Sequence, residues 1–336
     1  MKPLVSILIP AYNAAPWIAD TIRSAQAQTW ARKEIIVVDD GSKDGTVAVA
    51  RQFEAAGVKI VTQPNQGAAA ARNHLFSLAQ GDFIQWLDAD DLLSPDKITR
   101  QMQAAASGGP QLLYSCGWGF FSHRPQKAKF VPSRLWEDLT PLEWLLRKWE
   151  HNLFMQTGTW LTSRELSERA GQWDARLQGD DDGEYFFRVI KASGGVRFVP
   201  DARVYYRMSG AGRLSYISRS DKKMEAQFLG MKIQIAYLRS VADDARVRAA
   251  CVTYLQNWLL NFYPNRMDLV AEAQKLAGEL GGQLQPPALS WKYRWLQKFF
   301  GWPAARAAQI NYNEWKAAVL RAWDRLMFRL EGGRIV

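Results

Sequence analysis

The chain has 336 residues, 48% of them hydrophobic and 23% charged, which suits one large folded domain or two ordinary ones and excludes a disordered polymer. Its net charge of +10 is uneven: residues 285–336 carry nine Lys or Arg against three acids, +6, whereas residues 221–280 carry eight against seven, +1. Two distant cysteines, Cys116 and Cys251, argue against a disulfide framework or a zinc site and fit a reducing, cytoplasmic setting.

The opening apolar run, LVSILI (4–9), is too short for a signal peptide and is interrupted by Ser6 and followed by Pro10, so it reads as a first strand. PWIADTIRSAQAQ (16–28) spaces Ile18, Ile22 and Ala25 as a helix, with Asn13 as its expected cap. EIIVVDD (34–40) is a second strand, and TVAVARQFEAAG (46–57) a helix stopped by Gly57. VKIV (58–61), GAAAARNHLFSLAQG (67–81) and DFIQWL (82–87) repeat the strand, helix, strand rhythm. This alternation predicts an α/β fold, a mostly parallel twisted sheet with helices on both faces. A helix beyond Asp96 to about Ser107, a strand at 112–121 and a helix at 140–149 follow, while the rest of 121–160 carries no clear period. Residues 221–280 read as helical, Pro286 and Pro287 punctuate, and two more helices come after. No segment has the roughly 20 predominantly apolar residues of a membrane span.

In open sheets of this kind ligands bind beyond the carboxyl ends of the strands. Three such ends are polar here: Pro10-Ala11-Tyr12-Asn13, Asp39-Asp40-Gly41-Ser42, and Asp88-Ala89-Asp90-Asp91. Asp88 and Asp90 are two apart, so in extended backbone they share a face and repel unless a cation lies between them. Oxygen ligands favour Mg²⁺ or Mn²⁺, which commonly binds through one or two carboxylates plus substrate phosphates. The plainer reading is an Asp-rich turn capping the next helix, and a lone pair of this kind does not decide between the two.

The order and spacing of LVSILIPAYNAAPWIADTIRSAQAQT, EIIVVDDGSKDGT, NQGAAAARN and FIQWLDADD resemble the first 100 or so residues of family 2 glycosyltransferases, with their A-type nucleotide-sugar-binding fold. The resemblance implies that Pro10, Ala11, Tyr12, Asn13 and Asp39 hold the nucleoside, that Gly67 and Arg72 lie near base and phosphates, and that Asp88, Ala89 and Asp90 carry the metal and diphosphate. Asp90 is the more direct metal ligand of the pair, and Mn²⁺ or Mg²⁺ the expected cofactor. Further on, GQWDARLQGDDDGEYFFRVIKASGG (171–195) resembles the family's base helix, although the family writes glutamate then aspartate where this chain has Asp181-Asp182. Asp182 is the candidate general base and Asp181 the reserve, because the preceding Asp180 leaves the register open by one. Acids at a helix start also complement the macrodipole, a structural duty that one of them is expected to perform. Arg207 and Arg213, in VYYRMSGAGRLS, are candidates for the diphosphate or else solvated charges.

Near the carboxyl end, Trp315, Val319, Trp323, Leu326 and Leu330 fall on one helical face, with Arg321, Arg325 and Arg329 in a separate stripe. Packing on the catalytic domain or a second subunit is the expected duty, and an anionic membrane surface the alternative; nucleic acid is not expected. The reading divides the chain into a catalytic domain, 1–220, with a nucleotide-sugar-binding half (1–110) and an acceptor and base half (111–220), then a helical region, 221–336. It predicts an inverting, metal-dependent transfer from a nucleotide-diphosphate sugar, UDP-linked by resemblance, to a saccharide or lipid-linked acceptor, in the cytoplasm or on the membrane's cytoplasmic face. Rival readings are a non-catalytic nucleotide-sugar-binding module and, with a poor motif fit, a phosphohydrolase with paired aspartates.

Overall fold

The computed structural model describes residues 2–177, 179–209 and 220–333. Its first sheet contains β1 (Val5–Ala11), β2 (Lys33–Asp39), β3 (Val58–Thr62) and β4 (Phe83–Trp86), all parallel, in the order β3-β2-β1-β4. Helices α1 (Ile18–Gln26), α2 (Thr46–Arg51) and α3 (Ala68–Leu78) are the crossovers, as the alternation predicted. The parallel strands read as continuous apolar runs because both faces are covered. Period-two alternation still sorts their side chains: Leu8, Ile36, Val38, Ile84 and Trp86 enter one hydrophobic cluster, while Val5, Ile7, Ile9, Val37 and Phe83 enter another.

A second sheet was not legible in the sequence. After β4 the chain forms β5 (Leu92–Leu93), α4 (Lys97–Gly108), β6 (Leu113–Phe121), β7 (Lys129–Phe130), α5 (Pro141–Glu150), β8 (Thr162–Ser163), α6 (Arg164–Ala170), α7 (Asp181–Ala192) and β9 (Val196–Arg207). β8 pairs antiparallel with β4 and closes the first sheet, and β5-β9-β6-β7 make the other. β6 and β9 run parallel with a register shift at Cys116/Gly117, and β5 pairs antiparallel with β9, Leu92 opposite Tyr205. Residues 88–91 are therefore anchored at both ends, by β4 in one sheet and β5 in the other.

Three local expectations change. Asn13 does not cap α1, whose N-cap is Trp17 without a side-chain bond; Asn13 adopts a left-handed φ of 50° and accepts a hydrogen bond from Lys43 N at 2.9 Å. The helix expected to reach Gly57 ends at Arg51 and resumes as a 3₁₀ turn, with Gly57 at φ 81° turning the chain into β3. Asp91 caps no helix and is wholly buried.

Helices α8 (Asp221–Val241), α9 (Ala245–Phe262) and α10 (Met267–Glu279) pack into the cluster that covers the Leu8 and Trp86 side of the sheet. Among the described residues no helix is long and apolar enough to cross a membrane. Helix α11 (Arg294–Leu330) is interrupted at Gly301, whose φ of 80° and ψ of 170° break it into the two helices the sequence suggested. Within the chain, the apolar stripe is not packed on the catalytic domain. Trp315, Trp323 and Leu330 are 63%, 59% and 71% exposed, because α11 docks through the opposite edge. There Asp324 accepts from His123 N at 2.8 Å and Arg124 Nε at 2.7 Å, and Phe328 stacks on His123.

Candidate active site

The loops after β1 and β2 clasp one another. Asn13 N donates to Ser42 Oγ at 2.8 Å, and Ser42 N donates to Asp39 Oδ2 at 3.0 Å. Asp39 is buried, and its other oxygen finds no partner in the structure. Buried acceptors are almost always satisfied. Asp39 Oδ1 is thus a buried acceptor able to take a further donor, and a base N–H or a ribose hydroxyl has the right chemistry. Tyr12, in the loop after β1, is half exposed, whereas Ala11, opposite Asp39 in the β1–β2 register, is buried in the core.

Asp40, whose role sequence reasoning missed, ties this corner to α3. Its carboxylate accepts from Gln63 Nε2 at 2.8 Å, Gln66 N at 2.9 Å and Gly67 N at 2.8 Å. Gly67 has φ 94°, a conformation that glycine alone adopts cheaply, and it starts α3 with Arg72 one turn in. Gly41 is required twice over: its φ is 73°, and a Cβ there would come within 2.8 Å of Asn65 N.

The acidic loop is held by its backbone and by Asp91, with Asp88 and Asp90 half-buried at its rim. Thr21 Oγ1 donates to Ala89 O at 2.9 Å, and Arg207 Nε donates to Asp90 O at 2.7 Å. Asp91 accepts from Arg207 N at 2.7 Å and from the Gln156 amide. The Arg207 guanidinium is wholly buried between the Trp17 and Phe121 rings and also donates to Ser122 O and Asp20. The phosphate contact expected of Arg207 is corrected by this burial: the side chain braces the loop from beneath. Arg213 lies outside the described residues.

On the other wall, α7 begins at Asp181. Arg72 bridges the walls, donating to Asp181 Oδ2 at 2.6 Å and Asp88 Oδ1 at 3.1 Å, with its guanidinium 4.5 Å from the Trp173 ring. Asp181 is thereby committed to an ion pair. Asp182 accepts from Thr157 Oγ1 at 3.1 Å and from Gly183 N at 2.9 Å, and it lines a cavity of about 30 Å³ with Trp144, Lys148, Phe154 and Trp160. Of the two acids, Asp182 is the one whose surroundings leave room for a hydroxyl. Thr157 carried no sequence signal, since nothing in its neighbourhood is periodic or charged. Trp160 and Trp173 are buried core residues; Trp173 stacks on Tyr185 at 4.0 Å. Glu184 and Arg188 pair with each other at 2.6 Å within α7.

The acids share one electrostatic environment. Burial pushes Asp88 up to about 6, Arg72 opposes the rise, and the charges of Asp90 and Asp182 add to it. Burial likewise raises Asp181, against the pull of Arg72, with Asp182 adding to the rise. Asp88 thus feels the charges of both Asp90 and Asp182, which sets the strand-end acids and the α7 acid within electrostatic reach of one another. Among the described residues no three His, Cys, Asp or Glu converge on a ready-made metal site. The Asp90 carboxylate accepts no hydrogen bond from a described residue. An oxygen pair with one member unengaged fits a Mg²⁺ or Mn²⁺ ion that takes its other ligands from phosphate and water.

Three parallel-strand crossovers feeding an acidic strand end, with a second sheet behind it, match solved glycosyltransferase structures. S. aureus TarS 1–349 in complex with UDP-GlcNAc superposes with a TM-score of 0.64 at 16% identity, covering 83% of this chain and 80% of that one. The mannosyltransferase PcManGT from Pyrobaculum calidifontis, in complex with GDP-Man and Mn²⁺, gives 0.55 at 20% identity over 96% and 88%. The fold is the A-type glycosyltransferase fold. An uncharacterized glycosyltransferase of Rickettsia typhi is 32% identical over 57% of this chain and 60% of its own length. The putative teichuronic acid biosynthesis glycosyltransferase TuaG of Bacillus subtilis is 35% identical over 42% of this chain and 52% of its own. The chain thus matches 52 to 60% of the length of these relatives. Residues 6–170 match the family model for glycosyl transferase family 2, and this part of the chain belongs to that family.

Proposed function

We propose that the chain is an inverting glycosyltransferase that moves a sugar from a nucleotide-diphosphate donor to a hydroxyl of a saccharide or lipid-linked acceptor in polysaccharide or glycoconjugate synthesis. The observation that supports the reading is the bridge from Asp88 through Arg72 to Asp181, which ties the acidic strand end to the start of α7, where Asp182 follows Asp181. The nucleoside is held at the first two strand ends by Asp39 and the 10–13 loop. A uridine nucleotide is the preferred donor, in keeping with the family resemblance and with a structural neighbour solved with UDP-GlcNAc.

Asp90, with Asp88, would hold a divalent Mn²⁺ or Mg²⁺, which when bound supplies neutralising charge for the departing diphosphate. Asp182 takes the proton of the acceptor hydroxyl. As that proton leaves, the acceptor oxygen bonds to the anomeric carbon, the bond from that carbon to the diphosphate oxygen breaks, and the nucleoside diphosphate departs. A single displacement inverts the anomeric configuration. Thr157 keeps Asp182 aimed, and Arg72 keeps Asp88 and Asp181 from repelling each other. Beside Asp182, Phe154 joins Trp118, Phe120 and Tyr206 in an aromatic cluster with ring centroids 4.6 to 6.1 Å apart. Such rings offer apolar faces on which sugars stack. The absence of a spanning helix among the described residues and two unpaired, buried cysteines suit a cytoplasmic enzyme.

Asp182→Asn is the test, assayed for nucleoside diphosphate release and for donor binding by calorimetry. Loss of turnover by at least about a hundredfold with unchanged nucleotide affinity supports the base assignment. Full retained activity would refute it, and donor binding without turnover in the wild type, for every acceptor class tried, would favour the binding-module reading.

A further inference from the structure

Seventeen large hydrophobic residues are prominently exposed among the described residues, and eleven of them lie between Trp291 and Leu330. That concentration is independent of the cleft and of the reaction proposed for it. We infer that this segment is a docking surface for an anionic lipid bilayer, in which α11 lies in the plane of the interface.

Three features favour lipid. First, the exposed face is one stripe: Tyr312, Trp315, Val319, Trp323, Leu326 and Leu330 recur at spacings of three and four, so they align along one side of the helix. The docked edge is elsewhere on the circumference, where Asp324 and Glu331 are paired with Arg124. Second, Arg321, Arg325 and Arg329, at four-residue spacing, fill the sector between the docked edge and the stripe with Arg329 bordering it, and the shorter helix before Gly301 repeats the chemistry with exposed Trp295 and Phe299 beside Arg294 and Lys298. Tryptophan next to cationic side chains is the composition of an interfacial helix, the ring entering the acyl boundary while arginine reaches anionic headgroups. Third, pairing with a second copy would gather cations without matching acids at the rim, since two of the three acids of residues 285–336 already bind Arg124. A bilayer bearing anionic headgroups supplies the missing counter-charge.

The placement also reaches the cleft. α11 and Glu331 just after it dock on His123, Arg124 and Gln126, and the neighbouring Ser122 O accepts from Arg207, which holds Asp90 O. The lipid face is therefore carried by a helix linked to the acidic loop through the 122–123 segment and Arg207.

The test is co-flotation of the full chain with phosphatidylcholine vesicles, with and without phosphatidylglycerol, at low and high salt. The expected result is binding to the anionic vesicles, weakened by salt. Trp315→Ser/Trp323→Ser should abolish binding, and Arg321→Gln/Arg325→Gln/Arg329→Gln should reduce partitioning about fivefold per charge. All five side chains lie outside the proposed cleft, so donor turnover in solution should be unchanged and serves as the control for folding. No flotation with either vesicle, or equal flotation of wild type and both variants, overturns the proposal. Concentration-dependent dimerisation in sedimentation velocity, abolished by the tryptophan variant and unaccompanied by vesicle binding, would overturn it in favour of a second copy.

Discussion

Replacing Arg72 by Met keeps an unbranched apolar stem against Trp173 and removes only the guanidinium. Two carboxylates then lose their counter-ion: Asp181, at 2.6 Å and 8% side-chain exposure, and Asp88, at 3.1 Å and 29%. Breaking a buried pair from one side costs about 3–5 kcal/mol. Asp88 is partly wet, so Asp181 dominates, and the expected loss is about 4 kcal/mol at neutral pH, a large part of the ~5–15 kcal/mol that stabilises a typical domain. The sign with pH follows from linkage. Without Arg72, folded Asp181 rises further above its unfolded value of 3.8. The folded state then binds more protons than the unfolded state through that window, and stability falls as pH rises. The deficit should be greatest at neutral pH and shrink on mild acidification. Urea unfolding followed by circular dichroism at the two pH values measures it, and adding Asp181→Asn should recover about half the loss. A deficit below about 1 kcal/mol, or one that does not change with pH, would refute the view of Arg72 as the brace between the walls.

Lys97 is fully buried against Gln85, and burial lowers it from 10.5 to about 7. Its stability contribution is complete above the unfolded value and is lost as pH falls toward 7, so wild-type stability should climb by up to about 1.4 kcal/mol per pH unit across that window, and Lys97→Met should flatten the climb; parallel curves would contradict the assignment. Asp40→Ala strands Gln66 N and Gly67 N, and calorimetry should find a loss of about 2–4 kcal/mol together with weaker nucleotide binding; a change under about 0.5 kcal/mol would mean the loop does not depend on it. Asp39→Asn should weaken nucleotide binding about tenfold by titration calorimetry while leaving the melting temperature near wild type. Thr157→Val should lower kcat about tenfold at unchanged donor KM, because it frees the base without touching the donor side; a change confined to KM would place Thr157 elsewhere in the reaction.

The legible parts of this protein were local. Strands β1 to β4 could be read because each is a mainly apolar run between helices, whereas the acids at their ends divide only in the structure: Asp40 and Asp91 brace loops, and Asp39 keeps an unengaged oxygen. The base helix was legible as a helix start, although sequence alone left Asp181 and Asp182 as alternatives. Their different surroundings, Arg72 around one and Thr157 beside the other, are contacts across long stretches of chain. Arg207 was misread for the same reason: an arginine after a strand is exposed by default, and only the pairing of β9 with both β5 and β6 puts it beneath the acidic loop.

The carboxyl-terminal helix divides the two kinds of information most clearly. Its period, its tryptophans and its arginine row are properties of consecutive residues, fixed by 3.6 residues per turn. Which edge the protein covers depends on where Arg124 and His123 stand in three dimensions, and they recruit the edge bearing Asp324 and Phe328. Periodicity thus determined that one face of this helix is apolar. Tertiary packing decided that this face stays uncovered, since burial is set by contacts between segments that no local pattern encodes.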